Sequence, residues 1–86
     1  MHYSVYVLLN PEGALYTGQT ADLARRLREH NDPEFKGTLH TKRRPGPWRL
    51  VYEEHLPTRS AAMHRERELK SSRGREWIRQ RLAGGC

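Results

Sequence analysis

Cysteine is almost absent from this sequence of 86 residues, whose single Cys86 is also the last residue. A lone cysteine forms no internal disulfide, so a fold held together by disulfide bridges is excluded. Long apolar runs are missing too, because the longest, Val5 to Leu9, is far shorter than the roughly 20 residues that span a bilayer. No charged segment followed by an apolar one opens the sequence, so we expect a cytoplasmic location and no membrane partner.

Acidic residues are in the minority, because the sequence has 10 Asp and Glu but 16 Lys and Arg, which gives a net charge of +6. A field of this sign attracts polyanions, so nucleic acid is the leading partner class. An acidic lipid surface would instead require an amphipathic helix with bulky apolar residues, which neither end contains. The five histidines lack the paired spacing and the second cysteine of a zinc site. We expect residues 1–82 to form one domain and residues 83–86 a flexible tail.

The first two β-rich segments predict a hairpin. Residues 2–9 and 14–19 flank the tetrapeptide NPEG, whose Pro and Gly suit a type I turn. If the residue numbers of each cross-strand pair in the hairpin add up to an even value, Tyr6 and Tyr16 lie on the same face of the sheet. A slip of one residue in the pairing would place them on opposite faces. The register therefore decides whether the two tyrosines can act together.

A first helix is predicted to begin after the cap Thr20 and to end near His30. At 100° per residue, one face collects Leu23, Ala24 and Leu27, and the opposite face collects Arg25, Arg28 and Glu29. Arg26 and His30, four residues apart, lie along the border between the two faces. The ordinary interpretation of such border residues is a solvated helix edge.

The middle and the end of the sequence add a loop, a strand and a helix. Residues 31–47 are polar and contain the run KRRP, which predicts a mobile basic loop. Residues 48–56 predict a strand, one face of which carries Trp48, Leu50 and Tyr52. Residues 73–82 predict a last helix, anchored by Trp77, Ile78 and Leu82.

A second helix, beginning at Pro57-Thr58, carries an acidic residue near its buried side. Ala62 and Leu69 mark that side, and Glu66 lies between them by angle. An ionised carboxylate at the edge of a core requires a nearby cation, either a side chain or a metal ion. Lys70, one turn further on, can be that cation, and an ordinary pair of this spacing is the simpler interpretation.

Taken in order, these residues resemble the GIY-YIG nuclease superfamily, most closely its small single-domain bacterial members. They are also similar to the nuclease domain of eukaryotic structure-specific endonucleases. VYV and YTG stand at the two triads, although the Gly and Ile of the first and the Ile of the second are replaced. The resemblance implies an α/β (α+β) fold, a small three-stranded antiparallel sheet with packed helices in the order ββαβαα. It implies a catalytic set of Tyr6, Tyr16, Arg26, His30 and Glu66.

The resemblance also implies a metal-dependent endonuclease that acts on DNA, with branched or flapped DNA as candidates and RNA as an open alternative. Glu66 would hold one Mg²⁺ or Mn²⁺. Tyr6, with its pKa lowered by surrounding positive charge, would act as general base, and Tyr16 would orient the water or the phosphate. Arg26 would bind two phosphate oxygens, and His30 would steady the phosphate or the attacking water.

Further basic residues are predicted to contact backbone phosphates without reading sequence. They are Arg25, Arg28, Lys36, Lys42, Arg43, Arg44 and Lys70, the last of which would also help to place Glu66. The simpler interpretation of the basic loop is a solvated charge run. A nucleic-acid-binding protein that keeps the fold without catalysis is the alternative function, and a partner protein that supplies targeting is compatible with either.

Overall fold

The computed structural model describes residues 2–32 and 46–84. Within these ranges the chain forms strands β1 (Tyr3–Leu9), β2 (Leu15–Thr20) and β3 (Arg49–Leu56), and helices α1 (Leu23–Asn31), α2 (Arg59–Lys70) and α3 (Ser72–Gly84). The order ββαβαα and the three-stranded antiparallel sheet confirm the predicted fold class. None of these helices combines the length and the apolar character that a membrane crossing requires.

The central strand β1 divides the protein into two cores. It lies between β2 and β3, and its residues 5–8 are fully buried. Because side chains alternate along a strand, Val5 and Val7 face α2 and α3, whereas Tyr6 and Leu8 face α1. The sheet is therefore covered on both faces, and Tyr6 belongs to the core beneath α1.

The hairpin has the register that places both tyrosines on one face. Tyr6 pairs with Gly18 and Leu8 pairs with Tyr16, so the residue numbers sum to an even value. In the turn, the Gly13 N–H donates to the carbonyl of Asn10 at 3.0 Å, and Gly13 has a φ of 85°, which disfavours side chains. Tyr6 and Tyr16 therefore project from the same face, toward α1.

The third strand contains a bulge that the alternating pattern did not predict. Val7 pairs with Tyr52 but Leu8 pairs with Leu50, so Val51 is an extra residue in β3. Trp48 and Leu50 pack with Tyr6, whereas Tyr52 packs on the other face of the sheet. The prediction that Tyr52 shares a face with Leu50 is therefore wrong.

The first helix differs from its prediction in cap and in buried face. The cap is Asp22, whose side chain accepts a hydrogen bond from the Arg25 N–H at 3.1 Å, whereas the Thr20 hydroxyl accepts from the Asp22 N–H. Ala24 is exposed rather than buried, and His30 is buried rather than at a border. The face that α1 turns to the sheet is narrower than predicted and extends further toward its C-terminus.

The last two helices follow the predicted order with two corrections. α2 begins after Thr58, close to the predicted start at Pro57-Thr58, and the Thr58 hydroxyl accepts from the Ala61 N–H at 3.1 Å. In α3 Ile78 is buried, but Trp77 is 37% exposed and is not an anchor. Ala83 and Gly84, assigned to the predicted tail, belong to α3, and residues 85–86 lie outside the described ranges.

Asn31 joins the end of α1 to the start of β3. Its side-chain oxygen accepts from the Trp48 N–H at 2.7 Å, and its side-chain nitrogen donates to the Trp48 carbonyl at 2.8 Å. Trp48 is buried beside Tyr6, so both backbone groups are removed from most of the solvent. The amide thus holds α1 against the sheet.

We expect Asn31→Ala to lower the free energy of unfolding by about 2 kcal/mol, because two backbone groups of Trp48 lose their partner. Urea unfolding measures the change. Asn31→Asp, which keeps the acceptor and removes the donor, should lie between the wild type and Asn31→Ala. Equal stability of all three proteins would contradict this role.

Candidate active site

Three rings from three elements meet on the sheet face beneath α1. Tyr6 from β1, Tyr16 from β2 and His30 from α1 form this aromatic cluster, with ring centroids 4.7 to 6.2 Å apart. The Tyr6 hydroxyl lies 2.9 Å from His30 Nε2. Tyr6 can donate this bond when the proton of the neutral imidazole is on Nδ1. Tyr6 and His30 are 1% and 2% exposed, so their contact is shielded from solvent.

Gly18 makes room for the phenol of Tyr6. It is the cross-strand partner of Tyr6, and a Cβ added there would lie 2.7 Å from the Tyr6 hydroxyl oxygen and 2.8 Å from Cζ. Real Cβ atoms essentially never come so close to another heavy atom. The close contact with Tyr6 therefore accounts for a glycine at this position of β2.

Arg26 reaches the same phenol from α1. Its positive charge is close enough to the phenol to oppose the rise in the pKa of Tyr6, and its Nη1 lies 3.0 Å from Glu29 Oε1. Burial opposes the charge of Arg26, but the bonds to Glu29 and Tyr6 leave its pKa above the ordinary value. Arg26 therefore presents a fixed cation at the edge of the aromatic cluster.

Glu29 is a site residue that the sequence analysis missed. It was expected to point away from the sheet, yet it binds Arg26 through one oxygen and Arg25 through the other at 3.1 Å. The Arg26 hydrogen bond holds the pKa of Glu29 below its usual range. Its spacing of three and four residues from the two arginines was the signal that could have identified it.

The predicted lowering of the pKa of Tyr6 is wrong. Burial raises this pKa well above its usual value, and the nearby Tyr16 raises it further. The hydrogen bond and charge of Arg26 lower it, but they do not overcome the loss of solvation. Tyr6 therefore keeps its proton at neutral pH, and His30 Nε2 is the group in contact that can accept it.

Glu66 approaches the cluster from the opposite layer. It lies on α2, which contacts both β1 and β2, and its side chain is 24% exposed. Its negative charge contributes to the raised pKa of Tyr6, so carboxylate and phenol are within electrostatic range. Lys70 Nζ lies 2.9 Å from Glu66 Oε2, as the simpler interpretation predicted. Glu66 is thus a partly exposed carboxylate with one occupied oxygen.

A single hard cation fits the donors at Glu66. Among residues 2–32 and 46–84, no group of three or more His, Cys, Asp or Glu is arranged to hold a metal. Mg²⁺ commonly keeps several waters and binds through one or two carboxylates plus substrate phosphates. Glu66 meets that requirement, with Lys70 as a competing cation for one oxygen.

A shallow groove of about 310 Å³ leads from solvent to Arg26. It lies between the end of β2 and α1, and Arg25 also lines it. Arg28 is exposed on the same helix, and Lys70 is exposed on α2. The remaining predicted phosphate contacts, Lys36, Lys42, Arg43 and Arg44, lie outside the described residues. The groove exposes the Arg26 guanidinium to solvent, beside the carboxylates of Asp22 and Glu29, which also line it.

Comparison with known proteins identifies a matching family and similar proteins. The family described as "GIY-YIG catalytic domain" matches residues 2–80. A UPF0213 protein of Haloquadratum walsbyi is 49% identical over 70 residues, which cover 81% of this chain and 74% of that protein. The structure-specific endonuclease subunit slx1 of Schizosaccharomyces japonicus is 40% identical over 70 residues, 77% of this chain but 25% of slx1.

A solved structure supports the fold. The solution NMR structure of a UPF0213 protein from Bacillus halodurans superposes with a TM-score of 0.57 at 32% sequence identity. The match covers 98% of this chain and 88% of the other. The similarity therefore extends over the whole sheet and its helices.

We expect Gly18→Ala to lower the free energy of unfolding by about 1–3 kcal/mol, because the added methyl group overlaps the Tyr6 phenol. The same substitution should cost much less in a Tyr6→Ala background, where the ring is absent. Urea unfolding of the wild type, the two single variants and the double variant gives the coupling free energy between positions 6 and 18. An equal cost in both backgrounds would refute the steric role of Gly18.

The raised pKa of Tyr6 predicts a loss of stability at alkaline pH. The protonated phenol favours the folded state, so its contribution is complete below the unfolded pKa of about 10. It is lost as the pH rises above that value through the higher folded pKa. We expect stability to fall less steeply in Tyr6→Phe than in the wild type above about pH 10.

Unfolding midpoints in urea across this pH range test the prediction. The pKa of Tyr52 is also raised, first by burial, but it adds the same slope to both proteins. Near neutral pH Tyr6 is protonated, so the difference in stability between the wild type and Tyr6→Phe there reports only the loss of the hydroxyl and its hydrogen bonding. Any further difference at alkaline pH reports ionisation. If stability falls with pH at the same rate in the wild type and in Tyr6→Phe, the pKa of Tyr6 is not raised in the folded protein.

Proposed function

Because this chain belongs to the GIY-YIG family of catalytic domains, we propose that it is a metal-dependent endonuclease that hydrolyses phosphodiester bonds in DNA. The observation that carries the proposal is the 2.9 Å contact between the Tyr6 phenol and the His30 imidazole, with the charge of Arg26 close enough to act on the same phenol. Phosphodiester hydrolysis requires a proton acceptor, a cation for the phosphate and stabilisation of the departing oxygen. The candidate site holds a group for each requirement.

Arg26 would bind the scissile phosphate. The guanidinium has five donors in a planar fork, and its bond to Glu29 uses only part of them. The groove beside Arg26 is open to solvent, so a phosphate can reach the remaining donors without unfolding the site. Tyr16, next to His30, would orient the phosphate or the attacking water.

The Tyr6 and His30 pair would take up the proton of the attacking water. As the water oxygen bonds to phosphorus, its proton passes to Tyr6, and the phenol proton passes to His30 Nε2. The bond from phosphorus to the departing oxygen then breaks, and that oxygen is protonated by solvent. When bound at Glu66, one Mg²⁺ or Mn²⁺ supplies positive charge that stabilises the departing oxygen.

One observation favours a second candidate function, a non-catalytic nucleic-acid-binding protein. Tyr6 is buried and keeps its proton, so it can act as a base only when substrate binding brings water to its hydroxyl. A domain that retains the fold and its positive charge would bind nucleic acid without this step. Cleavage assays distinguish the two functions.

Branched and flapped DNA are the first substrates to test. The relative slx1 is, by its name, a subunit of a structure-specific endonuclease, and this chain covers only a quarter of it. A partner protein would therefore be a source of targeting, and RNA stays an alternative substrate. A cytoplasmic location is part of the same proposal.

We expect cleavage of branched, flapped, nicked or single-stranded DNA with Mg²⁺ or Mn²⁺ and none with chelator. Glu66→Gln and Arg26→Ala should each reduce the rate by about 100-fold or more, because each removes charge stabilisation at the phosphate. Glu12→Gln, an exposed carboxylate in the turn between β1 and β2, is the control and should keep the wild-type rate.

The outcomes separate the proposals. Cleavage that persists in Glu66→Gln would overturn the assignment of the site. Binding of every substrate without cleavage under any metal condition would instead support the nucleic-acid-binding function.

A further inference from the structure

A second cluster of aromatic and cationic side chains lies on the other side of the sheet. Trp77 of α3 stands edge-on to Tyr52 of β3, with ring centroids 5.5 Å apart at 87°. The guanidinium carbons of Arg81 and Arg65 lie 4.8 and 5.3 Å from the Trp77 ring centroid. We call these four residues the Trp77 surface.

The Trp77 surface is separate from the candidate active site. The bulge at Val51 turns Tyr52 toward α2 and α3, whereas Tyr6 faces α1. None of its four residues contributes to the aromatic cluster or to the groove at Arg26. The catalytic proposal therefore leaves this surface unexplained.

Packing alone does not account for the position of Trp77. Its neighbour Ile78 fills the core, whereas the indole is 37% exposed. Trp77 also lines two open grooves, one of about 620 Å³ shared with Tyr52 and Arg81, and one of about 590 Å³ shared with Arg65 and Arg73. The indole thus forms a ridge between two grooves, each of which contains arginine.

The charge of this region is positive and only partly neutralised. Helix α3 contains four arginines and one glutamate: Arg73, Arg75, Arg79, Arg81 and Glu76. Arg65 is fixed by Glu54, with Nε 3.0 and 3.1 Å from the two carboxylate oxygens. Within residues 2–32 and 46–84, Arg81 forms no ion pair, and its guanidinium contacts the rings of Trp77 and Tyr52. Arg81 can therefore turn to an anion.

An exposed indole beside available arginine has the chemistry of a site for unpaired nucleic acid. Base stacking on an aromatic ring needs a base whose face is free, which a single strand offers and an intact duplex does not. An acidic peptide would satisfy the arginines, but it would not require an aromatic ridge between two grooves. The combination therefore favours a single strand.

We propose that the Trp77 surface binds an unpaired segment of nucleic acid, with a base stacked on Trp77 and a phosphate bound by Arg81. The base would replace the guanidinium of Arg81 on the indole and so release it to the phosphate. The choice of nucleic acid as ligand rests on the proposed function. The inference adds that the substrate contains a single-stranded segment.

Tryptophan fluorescence reports binding at this surface directly. The sequence has two tryptophans, of which Trp48 is 3% exposed, so a Trp48→Phe protein leaves Trp77 as the reporter. Oligothymidylate and a duplex of equal length are titrated in chelator at fixed salt, so that no cleavage occurs. We expect the single strand to quench Trp77 fluorescence and the duplex to leave it largely unchanged.

Variants in the otherwise wild-type chain identify the contact. Trp77→Ala should weaken oligothymidylate binding by about tenfold, with duplex binding unchanged, because one stacked base loses its platform. Trp77→Phe should retain most of the affinity, which distinguishes stacking from a folding defect. Met63→Ala, which removes another exposed apolar side chain, is the control and should bind as the wild type.

Three results would overturn the proposal. They are unchanged single-strand affinity in Trp77→Ala, an equal loss for strand and duplex, and quenching by polyglutamate but not by oligothymidylate. The binding assay is independent of cleavage. Trp77-dependent binding in a protein that cuts no substrate would refute the endonuclease alone, whereas cleavage without any effect of Trp77 would refute this inference alone.

Discussion

The candidate site depends on the close approach of Tyr6 to Gly18 across the first two strands. The phenol occupies the space that a side chain at position 18 would need, so its hydroxyl lies over the edge strand β2. From there it lies 2.9 Å from His30 Nε2, and the charge of Arg26, one turn earlier on α1, also acts on it. The position of this oxygen therefore depends on both the hairpin register and the rotation of α1.

The burial that fixes this geometry also opposes the reactivity of the phenol. Loss of solvation raises the pKa of Tyr6, and the hydrogen bond from Arg26 offsets only part of that effect. Arg26 itself keeps its charge because Glu29 and Tyr6 compensate for its own burial. The isolated protein therefore holds a well-positioned but protonated tyrosine. Under the proposed function, Tyr6 therefore does not act from its ionised form but passes its own proton to His30 Nε2.

Sequence periodicity predicted the parts of the site that depend on local geometry. The cross-strand pairing of the hairpin places Tyr6 and Tyr16 on the same face of the sheet. The helical repeat places Arg26 and Glu66 at the edges of the buried faces of their helices. The strand that carries Tyr52 was assigned to the wrong face because one extra residue in a bulge reverses the alternation.

The direction of the Tyr6 pKa shift was also missed, for a different reason. The sequence gives the sign of the nearby charges, but the loss of solvation depends on how closely α1 and the sheet enclose the phenol. That enclosure is a tertiary property, set by contacts between residues far apart in the chain.

The Arg26 groove and the Trp77 surface lie on opposite sides of the sheet, in a protein whose shortest extent is 22 Å. Under the two proposals together, a substrate that engages both must pass around an edge of the sheet. A flexible single strand can follow that path, whereas duplex DNA, with a persistence length of about 150 base pairs, stays nearly straight over this distance. Under the two proposals together, a junction between duplex and single strand would therefore suit the protein better than continuous duplex.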